Sequence, residues 1–259
     1  MIKSVHKAMA ILSALSDGNG EPMSLAAISE RVGINKSTCA HLIKTLEADG
    51  YAVKISSSRG YILGPAAYCL SRFGRYSKHL ISVARPVMKY LYQHSSATVV
   101  LAVLEANEKY ILDYFDDDVM FHSGAKIIKD DIYRTATGRV LLSHMTKEEI
   151  SKIIKKHGMP TANLWEEATD EKSFLLAIER IRTSKVVKSR GASGDTVSIG
   201  YGAPIFDSVG CVGAIGIAVR ITPDEELEFA SEEKKIEKLL VSGAKAISTK
   251  LQCTSGENG

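Results

Sequence analysis

Between Ser24 and Tyr51 the chain reads SLAAISERVGINKSTCAHLIKTLEADGY, two short amphipathic helices separated by a tight turn, with one face of the second helix left without apolar residues. At about 100° per residue, Cys39, Leu42, Ile43 and Leu46 share one stripe of the segment Lys36–Ala48, and Ser37, His41 and Lys44 lie opposite. A merely solvated face would carry acid–base pairs one turn apart. This one carries a hydroxyl, an imidazole and an ammonium, all able to donate to base edges or phosphates of DNA. Lys36 and Thr38 flank them on the first turn, where free N–H groups and the helix dipole favour a phosphate. Asn35 is a good N-cap, and Gly33 suits a left-handed turn conformation. The preceding helix, Leu25–Val32, aligns Leu25, Ile28 and Val32 on one face. Val5, Ala8, Met9, Leu12 and Leu15 mark an earlier helix of the same kind.

After Gly50 the period changes to alternation. Tyr51-Ala-Val53-Lys-Ile55 and Tyr61-Ile-Leu63-Gly64 flank the polar loop Ser56-Ser-Ser-Arg59-Gly60, which predicts a hairpin with Arg59 at its tip. Three helices followed by such a wing predict a winged helix-turn-helix. The competing reading is a small helical interaction module with a solvated loop.

The segment resembles the IclR-type transcription regulators. The resemblance runs from Ser4-Val-His-Lys-Ala-Met-Ala-Ile-Leu12 through Leu25-Ala-Ala-Ile-Ser-Glu-Arg-Val-Gly33, Lys36-Ser-Thr38, Leu42-Ile-Lys-Thr-Leu46 and Gly50-Tyr51 to Tyr61-Ile-Leu-Gly64. Downstream, Thr135-Ala-Thr-Gly138-Arg-Val-Leu-Leu142 and Ala203-Pro204-Ile-Phe206 resemble the effector-domain signatures of the same family. The resemblance implies a dimer or tetramer on a double-stranded palindromic operator, a small-molecule effector held by a GAF-like domain, and repression rather than activation. It implies DNA contacts by Lys36, Ser37, Thr38, His41 and Lys44, with Arg59 reaching phosphate or minor groove from the wing.

The chain's 259 residues suffice for two compact domains. The expected boundaries are 1–64 for the reading head, 65–95 for linker helices and 96–253 for the effector domain. The net charge of +3 is uneven: residues 1–76 hold nine Lys/Arg against five Asp/Glu, or +4, leaving 24 against 25, or −1, for the remainder. The basic excess therefore sits on the proposed reading head, which suits an anionic partner. In the linker, Leu70, Phe73, Leu80, Val83, Val87 and Leu91 exceed what one small domain needs, so some are expected to face a partner subunit.

Beyond residue 95 the pattern is mixed α+β, an antiparallel sheet flanked by helices. Thr98–Leu104 and Lys109–Phe115 predict a hairpin, and Val197–Phe206 and Cys211–Ile221 predict two glycine-interrupted strands. Thr146-Lys-Glu-Glu149 and Thr222-Pro-Asp-Glu225 are capping boxes that start helices over Lys147–His157 and from Pro223 to about Leu251. Asp116-Asp-Asp118 reads as a solvated loop rather than a metal site.

Gly200, Gly202, Gly213 and Gly216 lie inside strands, where they produce either bulges and curvature or a concavity for a small molecule. In the second case Thr135, Thr137 and Gly138 supply a polar anchor, because free N–H groups at a helix start hold a carboxylate. Family members often carry small polar residues at the positions of Gly200, Gly216 and Ala218; their replacement here favours a bulkier or more apolar effector than a very small acid.

Cys39, Cys69, Cys211 and Cys253 form no C-x-x-C pair, so neither a zinc site nor a disulfide framework is expected. Cys39 reads as a core residue, and Cys211 as a core residue or a pocket wall. No cofactor is expected. No nucleophile elbow, zincin or phosphate-loop motif occurs, and His122, His144 and His157 are isolated, which argues against an enzyme. An apolar run of membrane length and a secretory leader are both lacking, so a cytoplasmic protein without membrane contact is expected. A DNA-binding architectural or docking factor without an effector is the alternative class.

Overall fold

The computed structural model describes residues 2–16, 21–56, 60–73, 77–116, 132–193 and 195–254. They divide into two compact units at Lys78/His79. Arg59, His122 and two of the three aspartates expected in the acidic loop lie outside the described residues.

The first unit packs helices α1 (Lys3–Ser16), α2 (Leu25–Val32) and α3 (Lys36–Ala48) with the antiparallel pair β1 (Ala52–Ser56) and β2 (Gly60–Leu63), and continues into α4 (Pro65–Phe73). Local chemistry sets the turn. Ser24 Oγ accepts from Ala27 N at 3.2 Å to start α2, Gly33 closes it at φ 68°, and Asn35 Oδ1 accepts from Thr38 N at 2.7 Å to start α3. Ile11, Leu15, Ile28, Cys39, Ile43, Leu46 and Ala52 form the core. Val5 and Met9 were expected on the inner face of α1 but are more than half exposed, because the buried face is set by Ile11, Ala14 and Leu15. Met23 adds an unexpected rung on the other edge of β2: its N–H donates to Tyr61 O and its carbonyl accepts from Tyr61 N, both at 2.9 Å.

The second unit holds α5 (Lys78–Ser95) from His79 onward, β3 (Thr98–Glu105), β4 (Glu108–Phe115), α6 (Ala136–Ser143), α7 (Lys147–His157), α8 (Glu171–Thr183), β5 (Val187–Ser193), β6 (Thr196–Phe206), β7 (Cys211–Ile221) and α9 (Glu226–Thr254). The strands form one antiparallel sheet in the order β4-β3-β7-β6-β5. One face carries Val99, Leu101, Ile199, Tyr201, Ile215 and Ile217 against α5 and α9. Small residues on the other, Ala102 and Ala214, admit α6 through Ala136, Val140 and Leu141. A second apolar layer, centred on Leu142, Ile153, Trp165, Phe174 and Ile178, joins α6, α7 and α8.

Leu80 and Leu91 of the expected linker are buried in the sheet core beside Ala84 and Met88, with Val83 and Val87 packed on its edge. Their apolar excess is thus absorbed within the chain, while Leu70 on α4 is exposed. The Thr146 capping box forms in both directions, Glu149 N donating to Thr146 Oγ1 at 3.3 Å and Thr146 N to Glu149 Oε2 at 2.8 Å. At Thr222 only the Glu225 half is seen, 2.8 Å from Thr222 N. Pro223 to Glu225 form a turn, and α9 starts at Glu226 rather than at Pro223. Helix α8 starts on Asp170 and Ser173, a box without Glu or Gln at its third position, which the sequence reading passed over. None of the described residues forms a helix long and apolar enough to cross a membrane.

Candidate functional site: a reading helix and a helix start on the sheet

On α3, Cys39 and Ile43 are at most 1% exposed, whereas Lys36, Ser37, His41 and Lys44 are exposed and Thr38 is half-buried. The helix is therefore anchored along one stripe and presents the expected donors along the other. Burial raises the Cys39 thiol above its ordinary range and keeps it neutral. Thr45, also exposed, turns its hydroxyl back to His41 O at 3.3 Å, so the outer face beyond His41 is committed to Lys44. Replacing His41 with Ala is expected to lower discrimination between operator and random DNA by about 1–3 kcal/mol with little change on random DNA. Equal loss on both sequences in an anisotropy titration would make His41 a positioning contact only.

In the second unit Thr135 caps α6, its Oγ1 accepting from Gly138 N at 3.2 Å. Two residues that the sequence did not assign to the site complete the arrangement. Lys109 is only 1% exposed and donates from Nζ to Thr135 Oγ1 at 2.8 Å; Ser189 Oγ accepts from Ala136 N at 2.9 Å. The alternation of β4 places Lys109 on the same face as Ile111, and a cation at an inward position was the available signal. The Thr137 hydroxyl is 3.5 Å from that of Thr135, within a residue only 3% exposed.

The glycine strands do not leave the concavity expected over them. A Cβ on Gly216 would stand 2.6 Å from the Thr137 methyl, one on Gly202 2.8 Å from the Ala136 carbonyl carbon, and one on Gly200 2.8 Å from Ser189 Oγ. The space is occupied by the first turn of α6 itself, so Gly202 and Gly216 are close-approach positions. Gly213 faces the opposite layer, near Leu80. Ala218 pairs with both Gly200 and Thr98 and is half-buried, next to rather than beneath the helix start. Thus Thr135, Thr137, Gly138, Gly200, Gly216 and Ala218 do form one neighbourhood, but the Gly138 and Ala136 N–H groups expected to meet a carboxylate already have protein acceptors.

The remaining candidates have structural partners. Burial, with Arg182 nearby, pulls the His144 imidazole below its usual range, and its ring stands edge-on to Phe206 at 5.1 Å. His157 Nε2 lies 2.9 Å from Asn107 O. Cys211 is half-buried, its thiol pushed up to about 11 by desolvation. No group of three potential metal ligands occurs among the described residues.

Comparison with known proteins agrees with both halves. Residues 4–56 match the IclR helix-turn-helix domain, and residues 76–249 match the family described as bacterial transcriptional regulator IclR C-terminal. The transcriptional repressor IclR of Escherichia coli is 23% identical over 242 residues, covering 89% of this chain and 85% of the relative. The HTH-type transcriptional regulator TtgV of Pseudomonas putida is 26% identical over 189 residues, 71% of this chain and 70% of the relative. Among solved structures, an IclR homolog from Microbacterium hydrocarbonoxydans complexed with 4-hydroxybenzoate superposes with a TM-score of 0.70 at 18% identity, covering 96% of this chain and 98% of that one. With α3 inside the helix-turn-helix match and the five-stranded sheet inside the C-terminal match, the chain belongs to the IclR family of DNA-binding transcription regulators and is not an enzyme.

Proposed function

We propose that the protein is a repressor that binds a palindromic operator as a dimer, through Lys36, Ser37, Thr38, His41 and Lys44, with Arg59 contacting phosphate or minor groove from the wing. The observation that carries this reading is the division of α3 into a buried stripe, Cys39, Ile43 and Leu46, and an exposed row of donors with no carboxylate among them. Operator affinity responds to a small organic carboxylate bound in the second unit beside Thr137, Gly200 and Ala218. The 4-hydroxybenzoate held by the Microbacterium homolog supports a ligand of that class. In this scheme 1–64 is the reading head, 65–95 the connecting segment and 96–253 the effector domain, with α5 contributing to the effector-domain core.

A second reading, DNA binding without an effector, is favoured by one observation: the space over Gly202 and Gly216 is filled by α6. Fluorescence anisotropy on an operator fragment, with and without carboxylates including 4-hydroxybenzoate, separates the two. A ligand that changes operator affinity at least tenfold, about 1.4 kcal/mol of coupling, supports the first. Constant affinity across the series, with thermal stability also unmoved, supports the second.

A further inference from the structure

Helix α8 turns Phe174, Ala177 and Ile178 into the apolar layer shared with α6 and α7, and Ile181 packs on the edge of that layer. Its opposite side is not the polar surface that such a helix usually shows to water. At about 100° per residue, Lys172, Leu175, Leu176 and Glu179 share one outward stripe, and all four are exposed. Leu176 is 62% and Leu175 40% exposed, and neither joins a core cluster of the described residues. Their order carries a symmetry. The point midway between Leu175 and Leu176 is also midway between Lys172 and Glu179, so the stripe reads the same in either direction with its charges exchanged.

We infer that this stripe is a docking surface for α8 of a second copy of this chain, packed antiparallel about a two-fold axis. An isologous contact needs a patch complementary to itself, and rotation about that midpoint supplies one. Lys172 of each copy then faces Glu179 of the other, and the four leucines meet at the centre. Lys172 and Glu179 stand about 10 Å apart along the helix, so one ion pair closes each end of the leucine cluster. A parallel arrangement would set lysine against lysine and glutamate against glutamate. Charge therefore fixes direction and register, as it does between the helices of a coiled coil, and burial of the leucines supplies the attraction. Glu179 already accepts from Arg182 Nη1 at 2.9 Å, but its side chain is 63% exposed. An exposed pair of that kind is worth little, so a second cation joins it at small cost. The stripe falls short of the roughly 1,000 Å² of a stable interface, which makes the association reversible at micromolar concentration. The contact lies wholly in the second unit and goes beyond the operator reading, which names no residue joining two copies.

The test is sedimentation velocity on the full chain, from low to high micromolar concentration. The wild-type chain is expected to show a reversible association step that Lys172→Glu and Glu179→Lys each weaken at least tenfold by opposing like charges. Two combinations re-create the pairing: the double variant Lys172→Glu, Glu179→Lys, and an equimolar mixture of the two single variants. Restoration in either sustains the inference, because damage to α8 itself would not be repaired by a second charge reversal. Leu176→Gln should weaken the same step by removing the apolar centre. A wild-type chain without a concentration-dependent step, a step unchanged in the single variants, or no restoration in either combination would each overturn the inference. Should one single variant lose its fold by circular dichroism, the other single variant and the double variant decide. Failure of the operator reading is visible separately, as DNA binding without sequence preference, and leaves the sedimentation result standing.

Discussion

Gly216→Leu is expected to lift the start of α6 from the sheet and destabilise the second unit, rather than merely to fill a ligand space. A single Cβ there already meets the Thr137 methyl at 2.6 Å, Tyr201 O at 3.1 Å and Val100 Cγ2 at 3.2 Å, and leucine adds three more carbons. Overpacking of this kind costs about 1–3 kcal/mol, occasionally more; the upper end applies because one contact is a carbonyl oxygen and another a β-branched side chain fixed by its helix. In a unit of this size the melting temperature should fall by roughly 5–10 °C, as read by calorimetry. The first unit has its own core, from Ile11 to Ala52, and its operator affinity should be retained. A wild-type melting temperature with full ligand response would mean that α6 is not seated against Gly216.

Gly60→Ala is expected to detach the wing. Gly60 adopts φ +98°, a region that L side chains rarely enter, and its added Cβ would overlap the Met23 carbonyl and lie 2.8 Å from Ser24 N. Backbone strain there costs about 1–3 kcal/mol before any clash, a large share of what a domain of about 60 residues holds in reserve. The Tyr61 N–H, which donates to Met23 O at 2.9 Å, should lose protection from hydrogen exchange, whereas amides within α3 retain more of theirs. Unaltered protection at Tyr61 would contradict the role assigned to this rung.

The exposed face of α3 was legible in the sequence because a helix surface is a local property. The period of α3, the Asn35 cap and the Gly33 turn fix which residues turn inward, and Ser37, His41 and Lys44 stand where the period puts them. The sheet glycines were not legible in the same way. Whether a missing side chain leaves a cavity or admits a neighbour depends on what packs there, and for Gly202 and Gly216 that is a helix more than 60 residues earlier in the chain. Lys109 escaped for the related reason that a charge inside a strand usually marks the solvated side, whereas here it reaches the Thr135 cap. Strand β5, VKSRGAS, has almost no apolar alternation and is recognisable only through its pairing with β6 at the sheet edge. On α1, Val5 and Met9 fit a helical stripe as well as Ile11 and Leu15 do, and periodicity alone cannot say which of two overlapping apolar stripes is covered.

The exposed row on α3 is expected to read DNA sequence, and that role decides whether the protein is a sequence-specific regulator. It is tested most directly by selecting bound fragments from random genomic DNA with the full chain and with a Ser37→Ala, His41→Ala, Lys44→Ala variant, all three positions being exposed and outside the core. The wild-type chain is expected to enrich one palindromic sequence, and the variant to keep its fold while losing that enrichment and roughly 10³-fold or more of the specific affinity, the ratio that separates specific from non-specific binding. Enrichment of the same sequence by the folded variant at undiminished affinity would contradict the account.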